Sequence, residues 1–270
     1  MKLPTIENRS VLVTGCSSGI GRATAELLRT KGWKVFPTAR KAADLVALEQ
    51  AGFAAVELDM VSSDSIAEAV ERVLEKNAGV LGAVVNNAGF GMPGAIEDLT
   101  RDAMRDQFEV NLFGLQELTN QLIPVFRKQG YGRIINVSSV VGRIGLPFMG
   151  IYSASKFAVR GFLDTVRVEY LKKGLHVLVA APGFTKSEIR ITALTADGTQ
   201  QGATPRDEEK MMSAEDVATR IFKSVEKRKR KVTMTFWGGK AIVLVAKLWA
   251  YFIDQVIYQV FANEPNSPFK

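Results

Sequence analysis

The chain has 270 residues, 47% of them apolar, a formal net charge of +7 and one cysteine. That length suits a single α/β domain with a sizeable core, and the apolar fraction is too low for a protein that crosses a membrane many times. One cysteine excludes an intrachain disulfide and the N-terminus carries no apolar leader, so the expected setting is the cytoplasm.

Strand-like apolar runs follow one another at 11–13, 34–36, 55–58, 83–85, 133–137, 176–180 and 232–236. Helix-like stretches separate them. Ala23, Leu27 and Leu28 line one side of 21–31, and Met104, Phe108, Leu112, Leu115, Leu118 and Leu122 recur near a 3.6 period in 102–128. Alternating β and α with near-continuous apolar strands predicts a parallel sheet covered on both faces, doubly wound in the Rossmann manner. Such sheets bind ligands at the carboxyl ends of their strands. The expected organisation is one domain over 1–236 and a C-terminal helical extension over 237–270. Within the domain, 184–213 is read as a substrate loop or lid, because its core is polar, rich in Thr and Gly, and lacks periodicity. Ser213 then reads as the N-cap of a helix.

The charge is unevenly placed. Between Arg220 and Lys247 there are nine Lys/Arg and one acid, leaving 26 basic and 27 acidic residues elsewhere. The surplus belongs to one C-terminal segment, and no nucleic-acid motif accompanies it.

Three groups of residues carry chemistry. Tyr152 and Lys156 stand four apart, hence on one face of a helix. Ser139 lies 13 residues before the tyrosine, next to Ser138. Thr14-Gly15-Cys16-Ser17-Ser18-Gly19-Ile20-Gly21 follows the first apolar run. Reducing a carbonyl requires a hydride at carbon and a proton at oxygen; a nicotinamide can supply the first and the protein the second. A free phenol has a pKa near ~10. A cation beside Tyr152 is expected to lower that value, and Ser139 can donate to an oxygen that gains negative charge. Alone, Tyr-x-x-x-Lys is an ordinary helix face.

In this order the motifs resemble those of the short-chain dehydrogenase/reductase family over roughly residues 8–236. The resemblance implies an oxidoreductase that interconverts a carbonyl and an alcohol. It places a cofactor turn at Gly15, Ser17, Ser18, Gly19, Ile20 and Gly21, where glycines let the backbone approach phosphates and the next helix offers its first amides. Asp59 matches an acid that contacts adenine, with Met60 beside it. Asn86-Asn87-Ala88-Gly89 matches the segment that steadies the sheet, with Asn87, Ala88 and Gly89 flanking the cofactor. Asn111 matches an asparagine that holds a water linked to the lysine, which completes a catalytic set of Asn111, Ser139, Tyr152 and Lys156. Tyr152 and Lys156 also contact the cofactor, the lysine through the nicotinamide ribose. Pro182-Gly183 matches the turn beside the nicotinamide.

Two positions depart from the family pattern. A threonine that bonds the carboxamide is replaced by Ser187, with Thr185 as a rival. The second strand ends in Ala39-Arg40-Lys41 where NAD-preferring members carry an acid. A carboxylate repels a 2′-phosphate and a guanidinium grips it, so the expected cofactor is NADP(H). Likeness to the hydroxysteroid and retinol dehydrogenase branch and to bacterial aldehyde reductases rests on segments such as Asn87-Ala88-Gly89-Phe90-Gly91 and Gly145-Leu146-Pro147-Phe148. It implies a lipophilic aldehyde, retinoid or ketosteroid substrate, with Phe90, Met92, Leu146, Phe148 and Met149 as pocket or core residues. A long-chain 3-keto lipid reductase is the enzymatic alternative, and a non-catalytic NADP(H)-binding sensor or scaffold is the alternative of another class. Family members often form dimers or tetramers.

The apolar stretch 241–262 is broken by Lys247, Asp254, Gln255 and Gln259, too often for a spanning helix of about 20 apolar residues. Lys240, Lys247 and Asp254, seven apart, would share one stripe of a single helix. Three roles fit: a helix lying in a membrane surface with nearby cations drawn to anionic lipid, a lid over the site, or a subunit interface. His176, alone at a strand start, reads as structural, and no metal site is expected.

Overall fold

The structure is a computed structural model that describes residues 5–186 and 211–263. The strands are β1 (Ser10–Val13), β2 (Lys34–Ala39), β3 (Val56–Glu57), β4 (Ala83–Asn86), β5 (Gly132–Val137), β6 (Leu175–Ala181) and β7 (Lys231–Thr233). They form one sheet in the order β3-β2-β1-β4-β5-β6-β7, and every pairing is parallel. Strands run outward from β1 to β3, then restart on the other side of β1 with β4. The crevice at that reversal is where ligands of such sheets sit.

Side-chain alternation divides the core. Leu12, Val84, Ile134 and Val177 face α3 (Ser63–Glu75), α5 (Gly114–Gln129) and α6 (Gly150–Glu169). Val11, Val13, Val85, Ile135 and Leu178 face α1 (Gly19–Thr30), α2 (Ala42–Gln50) and α7 (Ala214–Glu226). Both faces are apolar because both are covered, which is why these strands lack a polar alternate.

Local sequence explains the helix ends. Ser62 Oγ accepts from Ser65 N at 3.2 Å at the start of α3, and Ser213 Oγ accepts from Asp216 N at 3.1 Å at the start of α7, as expected for N-caps. Gly130, at φ +78, closes α5 in the left-handed conformation that glycine adopts at low cost. The periodic stretch 102–128 forms α4 (Arg101–Phe108) and α5, joined without a break by a π-helical turn over Glu109–Phe113. A π turn adds a residue to the helical repeat and re-aims the side chains within it; Asn111 is one of them.

The C-terminal extension differs from expectation. It is two helices, α8 (Ile242–Leu248) and α9 (Ala250–Ala262), broken at Trp249 with φ −139 and ψ 70. Lys240, Lys247 and Asp254 therefore do not share one helical stripe. Ile253, Ile257 and Phe261 of α9 are buried against Leu146, Phe148, Ile242 and Val245, so the pair folds back on the loop between β5 and α6. Among the described residues no helix is long and apolar enough to cross a membrane. Most of the loop over 184–213, with Ser187, lies outside the described residues. Its two flanks meet where Thr185 bridges to Met212 and Lys186 N donates to Met212 O at 2.8 Å.

Candidate active site

The site begins at the end of β1. Thr14 is fully buried, and its Oγ1 accepts from Asn87 N at 2.9 Å and Ala88 N at 2.8 Å. Asn87 answers by donating its side-chain amide to Thr14 O and Gly15 O, each at 2.9 Å. The turn after β1 is thus stitched to the segment after β4. Gly15 (φ +68) and Gly19 (φ +58) adopt conformations that cost other residues free energy. At Gly21 a Cβ would collide with the Gly15 carbonyl and stand 2.5 Å from Asn87 Nδ2. Ser18 precedes α1 without a side-chain cap, so the first-turn amides of this 12-residue helix remain for another acceptor. A backbone this close and this rich in free N–H groups fits the phosphates of a dinucleotide.

Thr38, at the end of β2, holds the same turn from the other side. It accepts from Gly15 N through Oγ1 at 3.4 Å and from Cys16 N through its carbonyl at 2.8 Å. Burial pushes the Cys16 thiol up to about 12, which makes it inert packing rather than a nucleophile. Arg40 stands just past β2, exposed, with Nη1 4.0 Å from Asp59 Oδ2. Asp59 also accepts from Val61 N at 3.1 Å, and Met60 is buried beside it. The acid is therefore held just past β3, with the Arg40 guanidinium beside it.

Deeper in the crevice, Ser139 follows β5 and Tyr152 and Lys156 occupy the second half-turn and second turn of α6. The structure brings them together: the Ser139 hydroxyl is near enough to Tyr152 to favour its ionised form, and Lys156 Nζ lies 5.5 Å from the centre of the Tyr152 ring. Gly91 backs the same ring, since a Cβ there would meet Tyr152 Cγ at 3.9 Å. One electrostatic expectation is reversed in this state. Burial pushes the Tyr152 phenol up to about 12 despite the Ser139 hydroxyl, and it brings the Lys156 ammonium down to about 8. Loss of water disfavours either charge, and at both groups it outweighs the other influences.

Asn111 is fully buried and spends its amide on protein: Oδ1 accepts from Phe90 N at 3.1 Å, and Nδ2 donates to Phe90 O at 3.0 Å and Ser155 Oγ at 3.1 Å. Gln107, one turn earlier and equally buried, donates to the same Phe90 carbonyl at 2.7 Å. Gly89 and Phe90 are thereby fixed against α6. Thr38, Gln107 and Ser155 escaped sequence reasoning. The signal available for Gln107 was a polar residue four before Asn111 on the same helical face. In the neighbouring strands, Asn86 and Asn136 are register partners on the α5/α6 face; Asn86 donates to Thr119 Oγ1 at 3.2 Å.

Pro182 accepts from Val140 N at 2.9 Å, which ties the turn after β6 to the turn carrying Ser139. Thr185 is buried and donates to Gly183 O at 3.1 Å. Met92 is packed inside, whereas Leu146 and Phe148 meet the C-terminal helices. His176 is buried in β6 with Nε2 3.1 Å from Arg228 O, and its pKa falls to about 4 through burial and the nearby Arg133. It is structural, as expected. No cluster with metal-ligand composition occurs among the described residues.

Fold and crevice together are those of a doubly wound, Rossmann-type domain. A family model for short chain dehydrogenases matches residues 9–197, and the chain belongs to that family. It is 39% identical over 178 residues to the uncharacterized oxidoreductase YbbO of Escherichia coli K12, an alignment covering 66% of each chain and so just under two thirds of that relative. It is 34% identical to dehydrogenase/reductase SDR family member 7B of Mus musculus over 90% of this chain and 78% of that one. It is 35% identical to a 3-ketodihydrosphingosine reductase of Bacteroides thetaiotaomicron over 64% and 62% of the two chains. In fold it resembles a short chain dehydrogenase of Burkholderia cenocepacia solved with NADP, with a TM-score of 0.78, 24% identity, and coverage of 94% of this chain and 99% of that one.

Proposed function

We propose that this protein is an NADP(H)-dependent reductase of a lipophilic aldehyde or ketone, in which Tyr152 gives the proton to the carbonyl oxygen. The observation that carries the reading is the convergence of Ser139, Tyr152 and Lys156 at the carboxyl end of the sheet, beside the Gly89 backbone and the glycine turn. When bound, the nicotinamide dinucleotide supplies the hydride. Tyr152, held neutral by a pKa near 12, arrives with its proton in place. Ser139 orients the phenol and donates to the carbonyl oxygen as charge grows there. Lys156, near 8, is poised to return a proton and would hold a ribose hydroxyl of the bound cofactor. Asn111 and Gln107 keep the Phe90 backbone from shifting under the reacting centre.

Arg40 supports the phosphorylated cofactor, because the tip of β2 presents a cation where a carboxylate would favour a free 2′-hydroxyl. The likeness of Gly145-Leu146-Pro147-Phe148 to the family's hydroxysteroid and retinol dehydrogenase branch supports a lipophilic substrate. A second reading, a long-chain 3-keto lipid reductase, is favoured by the likeness to 3-ketodihydrosphingosine reductase. The test is NADPH consumption against retinal, fatty aldehydes, ketosteroids and 3-keto lipids in detergent, with Tyr152→Phe in parallel. Turnover that vanishes in the variant supports the reading and ranks the substrates. Tight NADPH binding with no turnover on any of them would favour a sensor or scaffold instead.

A further inference from the structure

The α8–α9 pair uses only one of its faces. Ile253, Ile257 and Phe261 are buried against Leu146 and Phe148, yet Trp249 is 64% exposed, Tyr251 80% and Phe252 60%. Leu244, Leu248 and Tyr258 are exposed with them. Of the 16 exposed large apolar side chains among the described residues, eight fall between Leu244 and Val260. A concentration of this kind marks a surface that meets something apolar.

Length and charge say what that is. α9 has 13 residues, about 20 Å at ~1.5 Å per residue, and α8 has seven, so neither can cross a bilayer core of about 30 Å. They can lie in its interface, where Trp and Tyr are favoured because one end of each ring is apolar and the other polar. The pair follows β7, the edge strand of the sheet. Just before that three-residue strand come the exposed cations Lys227, Lys229 and Arg230, and Lys240 is exposed just before α8. Lys240 adjoins α8 within the Debye length of about 10 Å at 0.1 M salt, so its charge acts on whatever the helices touch. Two copies of the chain meeting face to face would bring together two segments that each carry nine Lys/Arg against one acid between Arg220 and Lys247. An anionic lipid surface is attracted by the same charges.

We propose that the outer face of α8 and α9 docks on an anionic membrane surface. The inner face of the same helices rests on Leu146 and Phe148, in the loop that leads from Ser139 to Tyr152. Docking therefore sets the mouth of the site against the bilayer, where a lipophilic carbonyl compound is dissolved. That consequence rests on the proposed reductase function, but the docking does not.

The experiment is flotation of the full chain with phosphatidylcholine vesicles and with mixed phosphatidylcholine/phosphatidylglycerol vesicles, read without any turnover. The protein should float with the mixed vesicles, more weakly with phosphatidylcholine alone, and lose binding at raised salt. The combined variant Trp249→Ser/Tyr251→Ser/Phe252→Ser should lower partitioning at least about ten-fold, since each ring removed gives up apolar burial. Lys227→Glu/Lys229→Glu/Arg230→Glu should remove the preference for anionic vesicles. NADPH affinity, unchanged in both, shows that the Rossmann core is folded. No flotation with either vesicle overturns the proposal. A drop in oligomeric size of the aromatic variant, measured by light scattering, overturns it too, by assigning the face to a second copy of the chain. Flotation with no reductase activity would leave the docking standing and the functional reading failed.

Discussion

The α-carbon of Gly89 is packed so tightly on Asn111 that a Cβ there would stand 2.7 Å from Asn111 Oδ1 and 3.4 Å from Lys156 Nζ. Three segments distant in sequence, after β4, in the π-helical turn and in α6, meet at that carbon. Gly89→Ala should displace the Asn111 amide from Phe90 and crowd the ammonium. The expected result is a fall in kcat of about ten-fold to a hundred-fold, the range for a displacement of about 1 Å near reacting groups. Steady-state kinetics with saturating NADPH checks it, and wild-type kcat in the variant would show that the contact has no role.

Tyr152→Phe removes one oxygen from a half-buried ring and leaves the packing in place. If the phenol supplies the proton, kcat should fall by about a thousand-fold, within the usual range for general acid catalysis, with NADPH affinity changed little. Titrating NADPH fluorescence beside the rate measurement separates the two quantities.

Lys156 has a pKa lowered to about 8 by burial, so its charge is lost in the mildly alkaline range. The reductive rate should decline as pH rises through about 8, where the ammonium gives up its proton. Lys156→Arg keeps a charge over roughly pH 7 to 10. It should be slower than the wild type but flat across that interval. A decline of equal steepness in Lys156→Arg would assign the titration to another group.

Arg40→Asp places a carboxylate at the tip of β2. A charge-assisted hydrogen bond is worth about 1.5–3 kcal/mol, so NADPH affinity should drop by about ten-fold to a hundred-fold while NADH affinity holds or improves. Equal losses for both cofactors, measured by isothermal titration, would remove Arg40 from the 2′-phosphate.

His176 makes the fold acid-sensitive. Its pKa falls from 6.5 in the unfolded chain to about 4 in the folded protein. Between those values the unfolded chain holds a proton that the folded protein lacks, so stability is complete above about 6.5 and is lost as pH falls toward 4. After solvent screening the effect is about 1–2 kcal/mol. Urea denaturation at the two pH limits should show a smaller loss for His176→Gln than for the wild type.

The alternation of strand-like and helix-like runs was enough to predict seven parallel strands covered on both faces, because the strands have no polar alternate to hide. The glycine turn, Ser139, Tyr152 and Lys156 were legible for a related reason: close approach to phosphates and a shared helix face each demand a fixed residue type at a fixed spacing. The Ser213 cap is similarly local. What spacing cannot express is which distant segments touch. The Thr14–Asn87 stitch, the Gln107–Phe90 bond and the support of Gly15 by Thr38 join strand ends that only the sheet order makes neighbours. The raised phenol and lowered ammonium follow from burial, a property of everything packed around Tyr152 and Lys156 rather than of their separation of four. The break at Trp249 was also beyond reach, because α9 bends away from α8 to bury Ile253, Ile257 and Phe261 on Leu146 and Phe148, a surface supplied by a loop a hundred residues earlier. The sequence by itself determined the fold class and singled out the candidate site residues, since periodicity and spacing are local. The tertiary structure decided their protonation, their supports and the exposed apolar face, since each depends on what long-range packing places beside them.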